Sequence, residues 1–367
     1  MKFIISRETL MKPLQMVNGV VERRQTLPIL GNVLLSVKDG MLSLTATDLE
    51  VQMRTQTRVE EGEGGEITLP ARKFLDICRA LPEGADIHLS AGDQRAQVRS
   101  GKSRFTLSTL PASEFPAIET SQAVLDFALP QGVLKSGLER THFAMALQDV
   151  RYYLNGLLLE LSGNRLRLVA TDGHRLALCE DCLEQDISFE NHQVIIPRKA
   201  VTELVRLLES NEDEARILLG GNFVQIGTPE MHFTSKLIDG RFPDYQNVVP
   251  VDSDKTVVCE REPLRQALNR VSILSNEKYR GVRMEFSPGQ LRVLAHNPEH
   301  EEAEEELGVD YGGEPLEIGF NVTYLQDALN ACPTERVKLL LSDPNSCCLI
   351  QGVDDQRCKY VVMPMRL

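Results

Sequence analysis

The sequence predicts an α+β fold in which one domain is written three times, each copy with two helices packed on antiparallel sheets. Three observations predict it: a recurring set of short anchors, a hairpin signal at one place in every copy, and two helical patterns per copy. The first anchor, Leu44-Thr-Ala-Thr-Asp48, recurs as Leu168-Val-Ala-Thr-Asp172 and, more weakly, as Val293-Leu-Ala-His-Asn297. The second, Ile67-Thr-Leu-Pro70, returns as Val194-Ile-Ile-Pro197 and Ile318-Gly-Phe-Asn321. The third, Phe105-Thr-Leu-Ser108, returns as Phe233-Thr-Ser-Lys236 and Tyr360-Val-Val-Met363. All keep the same order at a period of about 125 residues, an ordinary domain length.

Each copy opens on a helical pattern. Leu10, Leu14, Val17 and Val21 fall on one helical face, as do Val133, Leu134, Leu138 and His142, and then Leu264, Leu268, Val271 and Leu274. Pro263 suits the first turn of the third. A hairpin follows: Val33, Leu35 and Val37 alternate up to Asp39-Gly40, and Leu42 and Leu44 alternate after it. Asp-Gly between alternating runs favours a tight turn with positive φ. Ser162-Gly163-Asn164 and Ser287-Pro288-Gly289 take that place later. Second helices are expected over 72–80, 198–208 and 322–331, each followed by strands with Gly-rich turns such as Ala91-Gly92-Asp93 and Gly220-Gly221-Asn222. The expected domains are 1–122, 123–250 and 251–367.

The chain of 367 residues has 40 Lys and Arg against 53 Asp and Glu, a net charge of −13. That total argues against gripping nucleic acid with the whole surface. By copy, residues 1–125 are neutral, 126–250 carry −6 and 251–367 carry −7. Much of the acid lies in short blocks, including six Glu between Glu299 and Glu306. The bases partly gather on expected helices, at Arg72, Lys73, Arg79, Lys135, Arg140, Arg198, Lys199, Arg206, Arg265 and Arg270. One mildly basic helical surface on an acidic body is the expectation.

The N-terminal apolar run is three residues long, which is no signal peptide. No window nears the roughly 18 apolar residues of a membrane span. A cytoplasmic protein is expected, and its eight cysteines are therefore read as reduced thiols rather than a disulfide framework. Cys179-x-x-Cys182 lacks a second ligand pair for zinc. No phosphate loop, dinucleotide fingerprint or metal cluster is present in the sequence, and no cofactor or metal is expected. Asp172, His174 and Arg175 could belong to a hydrolase or solute-binding site, but no nucleophile context accompanies them. A turn Asp bonding local backbone is the plainer reading. A peptide-binding repeat scaffold without DNA is a further alternative.

Six stretches carry a resemblance: 26–32 (Thr-Leu-Pro-Ile-Leu-Gly-Asn), Gln148–Gly156, Ala170–Leu176, Asp239–Tyr245, Ser275–Arg283 and Tyr360–Leu367. Through them the chain resembles, from end to end, the bacterial DNA sliding clamps, the β subunits of DNA polymerase III. The resemblance implies three similar domains in a crescent and two crescents closed head to tail into a ring. Helices would line the hole. The protein would be a non-enzymatic processivity factor on duplex DNA. It implies DNA contacts at Arg24, Gln148, Arg151, Tyr152 and Tyr153. It implies a dimer contact of Lys73, Arg104, Phe105 and Leu107 with Ile273, Leu274, Glu301, Glu304 and Glu305. It also implies a cleft for short peptides of the polymerase, clamp loader, other polymerases, mismatch-repair proteins and ligase. The cleft residues carried over are Leu154, Thr171, Gly173, His174, Arg175, Leu176, Pro243, Val248, Asn321, Tyr324, Val361, Val362, Met363, Pro364, Met365 and Arg366. Two Met suit a surface that repacks around different ligands. Asn247, Pro344, Asn345 and Cys347 depart from the family pattern near that cleft.

Overall fold

A computed structural model describes residues 1–21, 27–92, 94–120, 122–183, 189–251 and 253–366. The first copy runs β1 (Lys2–Ser6), α1 (Arg7–Asn18), β2 (Asn32–Lys38), β3 (Met41–Thr47), β4 (Val51–Arg58), β5 (Glu61–Glu63), β6 (Gly65–Pro70), α2 (Ala71–Ala80), β7 (Asp86–Ala91), β8 (Arg95–Ser100) and β9 (Ser103–Ser108). The second runs β10 (Ala123–Pro130), α3 (Gln131–Glu139), β11 (Gly156–Gly163), β12 (Arg165–Thr171), β13 (Arg175–Cys182), β14 (Phe189–Pro197), α4 (Arg198–Leu207), β15 (Glu214–Gly220), β16 (Phe223–Gly227) and β17 (Met231–Lys236). The third runs β18 (Lys255–Glu260), α5 (Arg261–Val271), β19 (Gly281–Ser287), β20 (Gln290–His296), β21 (Glu302–Gly308), β22 (Leu316–Asn321), α6 (Val322–Ala331), β23 (Arg336–Leu341), β24 (Cys348–Gly352) and β25 (Cys358–Val362).

Local chemistry explains these elements. Ser6 caps α1 by accepting the amide of Thr9, and Leu10, Leu14 and Val17 are its buried stripe. Val21, His142 and Leu274 fall beyond the ends of their helices, because each helix stops sooner than its apolar period. Asp39 and Gly40, at φ 51° and 73°, make the hairpin turn between β2 and β3.

The elements pack into two compact units, one of residues 1–134 and 202–237, the other of 135–201 and 238–367. The first unit holds an eight-stranded sheet in the order β10-β15-β16-β17-β4-β3-β2-β6 and a five-stranded sheet β5-β1-β7-β8-β9. The second holds an eight-stranded sheet β14-β11-β12-β13-β25-β24-β23-β18 and a four-stranded sheet β21-β20-β19-β22. Both long sheets are antiparallel and join strands from two successive copies. In the first, β4 pairs with β17 so that Met53 faces Phe233. In the second, β13 pairs with β25 so that Ala177 faces Tyr360. These four positions are equivalent in the repeat, so the same junction is built twice. Strands β9 and β21, the equivalents left over, are sheet edges.

The cysteines correct one expectation. Cys179 on β13 and Cys358 on β25 are directly opposite in register and form a disulfide, with Cα atoms 4.1 Å apart. Antiparallel partners that do not exchange hydrogen bonds approach closely enough for this. Cys182 does not pair with Cys179 and stays an exposed thiol. Neighbours in a strand point to opposite faces, and so do residues three apart.

The second unit's long sheet carries a buried polar network. Glu160, 2% exposed, accepts hydrogen bonds from Arg167 at 2.7 Å, Gln193 at 2.5 Å and the Tyr245 hydroxyl at 2.9 Å. Burial would raise its carboxyl pKa, but the three hydrogen bonds and the Arg167 charge outweigh that and hold it below the ordinary value. Tyr245 is pushed up to about 12, first by burial. The depressed carboxyl contributes stability above the unfolded-state pKa, and that stability is lost as pH falls through the folded value. Glu160→Gln is expected to cost about 2 kcal/mol at neutral pH in urea unfolding. The variant should also lose less stability than the wild type between pH 7 and pH 4. An equal acid loss in both would refute the assignment.

Candidate functional site

The site in the second unit grows from one turn. Between β12 and β13, Thr171 Oγ1 donates to the Arg175 carbonyl at 2.6 Å and accepts the Gly173 amide at 3.1 Å. One Asp172 oxygen accepts the amides of His174 at 2.9 Å and Arg175 at 3.0 Å. Asp48 does the same for Glu50 and Val51, so the repeated Thr-Asp is a structural turn. Gly173 sits at φ 88°, and a Cβ there would stand 3.1 Å from Arg151 Nη1. The equivalent Leu49 accepts φ 79°. The carboxylate of Asp172 is committed to this turn and to Arg175 rather than to the His174 ring, which removes the basis for a catalytic pair.

Arg175 is the hub. Its guanidinium donates to Asp172 at 3.0 Å, to Asp327 at 2.5 Å and to the Phe143 carbonyl at 2.8 Å. It also lies over the Tyr324 ring, 4.6 Å from the centroid, and over Phe143 at 5.3 Å. The His174 ring stacks on Tyr324 with centroids 6.4 Å apart. Tyr324 is placed by the α6 cap, where Asn321 accepts the amides of Thr323 and Tyr324. Burial raises the Tyr324 hydroxyl pKa.

Beside this hub lies an indentation of about 160 Å³. Nine of the expected cleft residues line it: Leu154, Thr171, Gly173, Arg175, Leu176, Pro243, Val248, Val361 and Met363. Its apolar floor belongs to a cluster of Leu158, Val169, Leu176, Leu178, Ile195, Phe242, Tyr245, Leu349 and Val361. Val248 and Cys347 pack against that cluster, with the Cys347 sulfur 3.7 Å from the Val248 carbonyl. The tail is pinned twice, by the Met363 amide to the His174 carbonyl at 3.0 Å and by the Met365 amide to Gly319 at 2.7 Å. Met363 stays exposed between these points. His174, Asn321, Tyr324, Val362, Pro364, Met365 and Arg366 do not line the indentation. Val362 is buried beside it in the strand, pointing to the other face.

Sequence reasoning missed three lining residues in this role: Arg151, Tyr153 and Tyr245. The family resemblance implies DNA contacts for the first two. Arg151 grips Asp149 through Nε at 3.0 Å and Nη2 at 2.8 Å, and reaches the Asp172 carbonyl at 3.3 Å. That contact holds the Asp149 carboxyl down to about 2. Tyr152 is 58% exposed and packs edge-on against half-buried Tyr153. Gln148 takes φ 56° at the start of this loop. Arg24 lies outside the described residues.

The expected basic helix surface is corrected in one respect. Six of its ten bases already hold an acid: Arg79 with Asp76, Lys135 with Glu139, Arg140 with Asp355, Arg206 with Glu203, Arg265 with Glu262 and Arg270 with Glu305. Arg72 and Arg198 donate to backbone carbonyls. Four of those six pairs lie three or four residues apart on one helix, the spacing that brings side chains together.

Among the expected dimer residues, Ile273 is 76% exposed, Phe105 and Leu274 are half-buried, and Leu107 is buried in its own sheet. Lys73 and Arg104 are exposed. Glu304 is held by Arg292 at 2.7 Å and Glu305 by Arg270 at 2.6 Å. Among the described residues no cluster of potential metal ligands occurs, and no helix is long and apolar enough to cross a membrane.

Arg175→Lys tests the hub. An ammonium cannot span two carboxylates and a carbonyl in the plane of a guanidinium, and cannot stack in the same way. A loss of about 2 kcal/mol in chemical unfolding is expected. Full stability in that variant would show that the hub contributes little.

Comparisons with known proteins agree along the whole chain. Models of the DNA polymerase III beta subunit match with its N-terminal domain at residues 1–119, its central domain at 128–244 and its C-terminal domain at 246–366. The beta sliding clamp of Pseudomonas putida is 56% identical over 370 residues, covering 100% of both chains. That of Escherichia coli K12 is 52% identical over 368 residues, again covering 100% of both. The crystal structure of the Pseudomonas aeruginosa sliding clamp bound to griselimycin superposes with a TM-score of 0.98 at 54% identity over 100% of both chains. Caulobacter crescentus pol III beta gives 0.94 at 39% identity, also over 100% of both. The chain belongs to the family of DNA polymerase III beta subunits, the beta sliding clamps.

Proposed function

We propose that this chain is the non-catalytic processivity clamp of a replicative polymerase. Two copies close head to tail around duplex DNA, in the cytoplasm, and tether partners through the cleft around Arg175. The proposed domains are 1–122, 123–250 and 251–367. The observation that carries the ring is the junction built twice from equivalent strands. The partner of Ala46 on β4 is Met53, that of Ala170 on β13 is Ala177, and that of Ala295 on β21 is Ala303. Met53 pairs onward with Phe233 and Ala177 with Tyr360. By the same rule Ala303 takes Phe105 of a second copy, on the edge strand β9. Arg104 then faces Glu304, and Leu107 faces Glu301. Unpaired sheet edges seek a partner strand, and a heterologous contact between them closes when its rotation suits. Phe105 and exposed Ile273 supply apolar area, while Arg104 and Lys73 meet the glutamate block.

Retention on DNA tests this. After loading, the wild type should stay on circular duplex and slide off linearised duplex. Arg104→Glu should shift the solution mass from twice the 41.1 kDa chain toward the monomer and abolish the difference. Adding Glu304→Arg should restore part of both. Equal loss from circular and linear DNA by the wild type would overturn the ring.

The cleft reading rests on an apolar pocket rimmed by a rigid polar hub and an exposed Met, which suits short, partly apolar tails of the polymerase, clamp loader, mismatch-repair proteins and ligase. DNA contacts at Gln148, Arg151, Tyr152 and Tyr153 would be made to phosphates and unpaired bases without reading sequence. Truncation after Val362 should weaken binding of a polymerase-tail peptide more than tenfold in fluorescence anisotropy while leaving the dimer mass unchanged. Unchanged affinity would refute the cleft.

A further inference from the structure

The disulfide lies on the junction that carries the cleft. Cys358 opens β25, four residues before Val362 and five before Met363. The two sulfurs belong to buried residues, on the face of β13 that also carries Ala177. The pair is a non-hydrogen-bonded one, because its neighbours Glu180 and Arg357 make the ladder bond at 2.9 Å. Arg140 Nη1 stands 3.8 Å from Cys358 Sγ. The same guanidinium is 3.4 Å from Asp355, which Arg357 also holds at 2.9 Å, and Arg357 reaches Asp181 at 3.1 Å. A cation beside one sulfur of a pair stabilises negative charge on that sulfur, which makes it the better leaving group and the more available nucleophile.

We propose that Cys179 and Cys358 form a reversible thiol–disulfide switch that fastens the C-terminal strand to β13, with Cys358 as the exchanging sulfur beside Arg140. In a reducing compartment the pair is a dithiol. Closure consumes one low-molecular-weight disulfide of the glutathione type. Cys358 thiolate attacks one of its sulfurs, forms a mixed disulfide and releases the first thiolate. Cys179 thiolate then attacks the Cys358 sulfur, forms the Cys179–Cys358 bond and releases the second. The two protons of the protein thiols pass to the two released thiolates, and the protein pair loses the two electrons that the small disulfide gains. Exchange needs the end of β25 to lift, since both sulfurs are buried. The oxidised form pins the strand that leads to the Met363 tail; the reduced form holds it by hydrogen bonds and packing alone.

The test is titration of the full-length protein in glutathione buffers of graded ratio, followed by alkylation and peptide mass mapping. A Cys179–Cys358 linked peptide should appear at oxidising ratios and disappear at reducing ones. The oxidised form should exchange the amides of residues 359–363 at least tenfold more slowly than the reduced form. Arg140→Met removes stabilisation of the reduced pair, so its midpoint should move at least threefold toward more reducing buffers. Eight alkylated thiols at every ratio would overturn the switch. An unmoved Arg140→Met midpoint would overturn the role of Arg140, and Cys358→Ala, which leaves no linked peptide, checks the mapping independently of that variant's folding.

Discussion

The pairing of β13 with β25 is the contact on which the second unit depends. It joins strands almost half the chain apart and places Leu176 beside Val361, Arg175 beside Val362 and Cys179 beside Cys358. Without it the eight-stranded sheet falls into two short pieces, each with an open edge. It also sets the path of the segment that follows β25. The tail leaves β25 at Val362 and is captured at once by His174 and then by Gly319. The loop-closure entropy of such a distant pairing grows only slowly with length, so the strand–strand ladder and the shared core beneath it can offset it.

The binding surface divides its labour. The turn at Asp172, the Arg175 hub and the α6 cap are fully bonded polar structures and resist deformation. The pocket floor is buried apolar core and equally fixed. Adaptability is left to Met363, whose unbranched side chain can fill differently shaped gaps. The first unit repeats the turn at Asp48 but has Gln52 where the second has Leu176, and Lys236 where the second has Met363. The same backbone therefore carries polar side chains at the first junction where the second carries apolar ones.

Much of this was legible in the sequence. Asp39-Gly40 and its equivalents marked hairpins because positive φ is cheap for those residues, and alternation of Val and Leu marked the faces. The three anchors revealed the repeat. What could not be read was which edge each last strand would join, since pattern and propensity are the same for a strand paired within its own copy or with the preceding one. The disulfide was hidden for the same reason: Cys179 and Cys358 become neighbours only through that choice. The lining role of Tyr245 required the segment after β17 to fold back on the sheet. The pairing of the helix arginines was legible and overlooked, because Asp76 and Arg79, Glu203 and Arg206, and Glu262 and Arg265 are each one helical turn apart.

Those self-satisfied helix arginines have a consequence for passage of a duplex. A cation that already holds a carboxylate displaces little of the ion atmosphere around a phosphate, and the entropy of counterion release is what makes protein–DNA contacts tight and salt-sensitive. In the proposed ring, a surface built this way would have a shallow potential along the DNA and offer little friction to translation. Residence in that proposed ring would be set by how long the protein edges stay joined, not by how strongly its helices attract the phosphates.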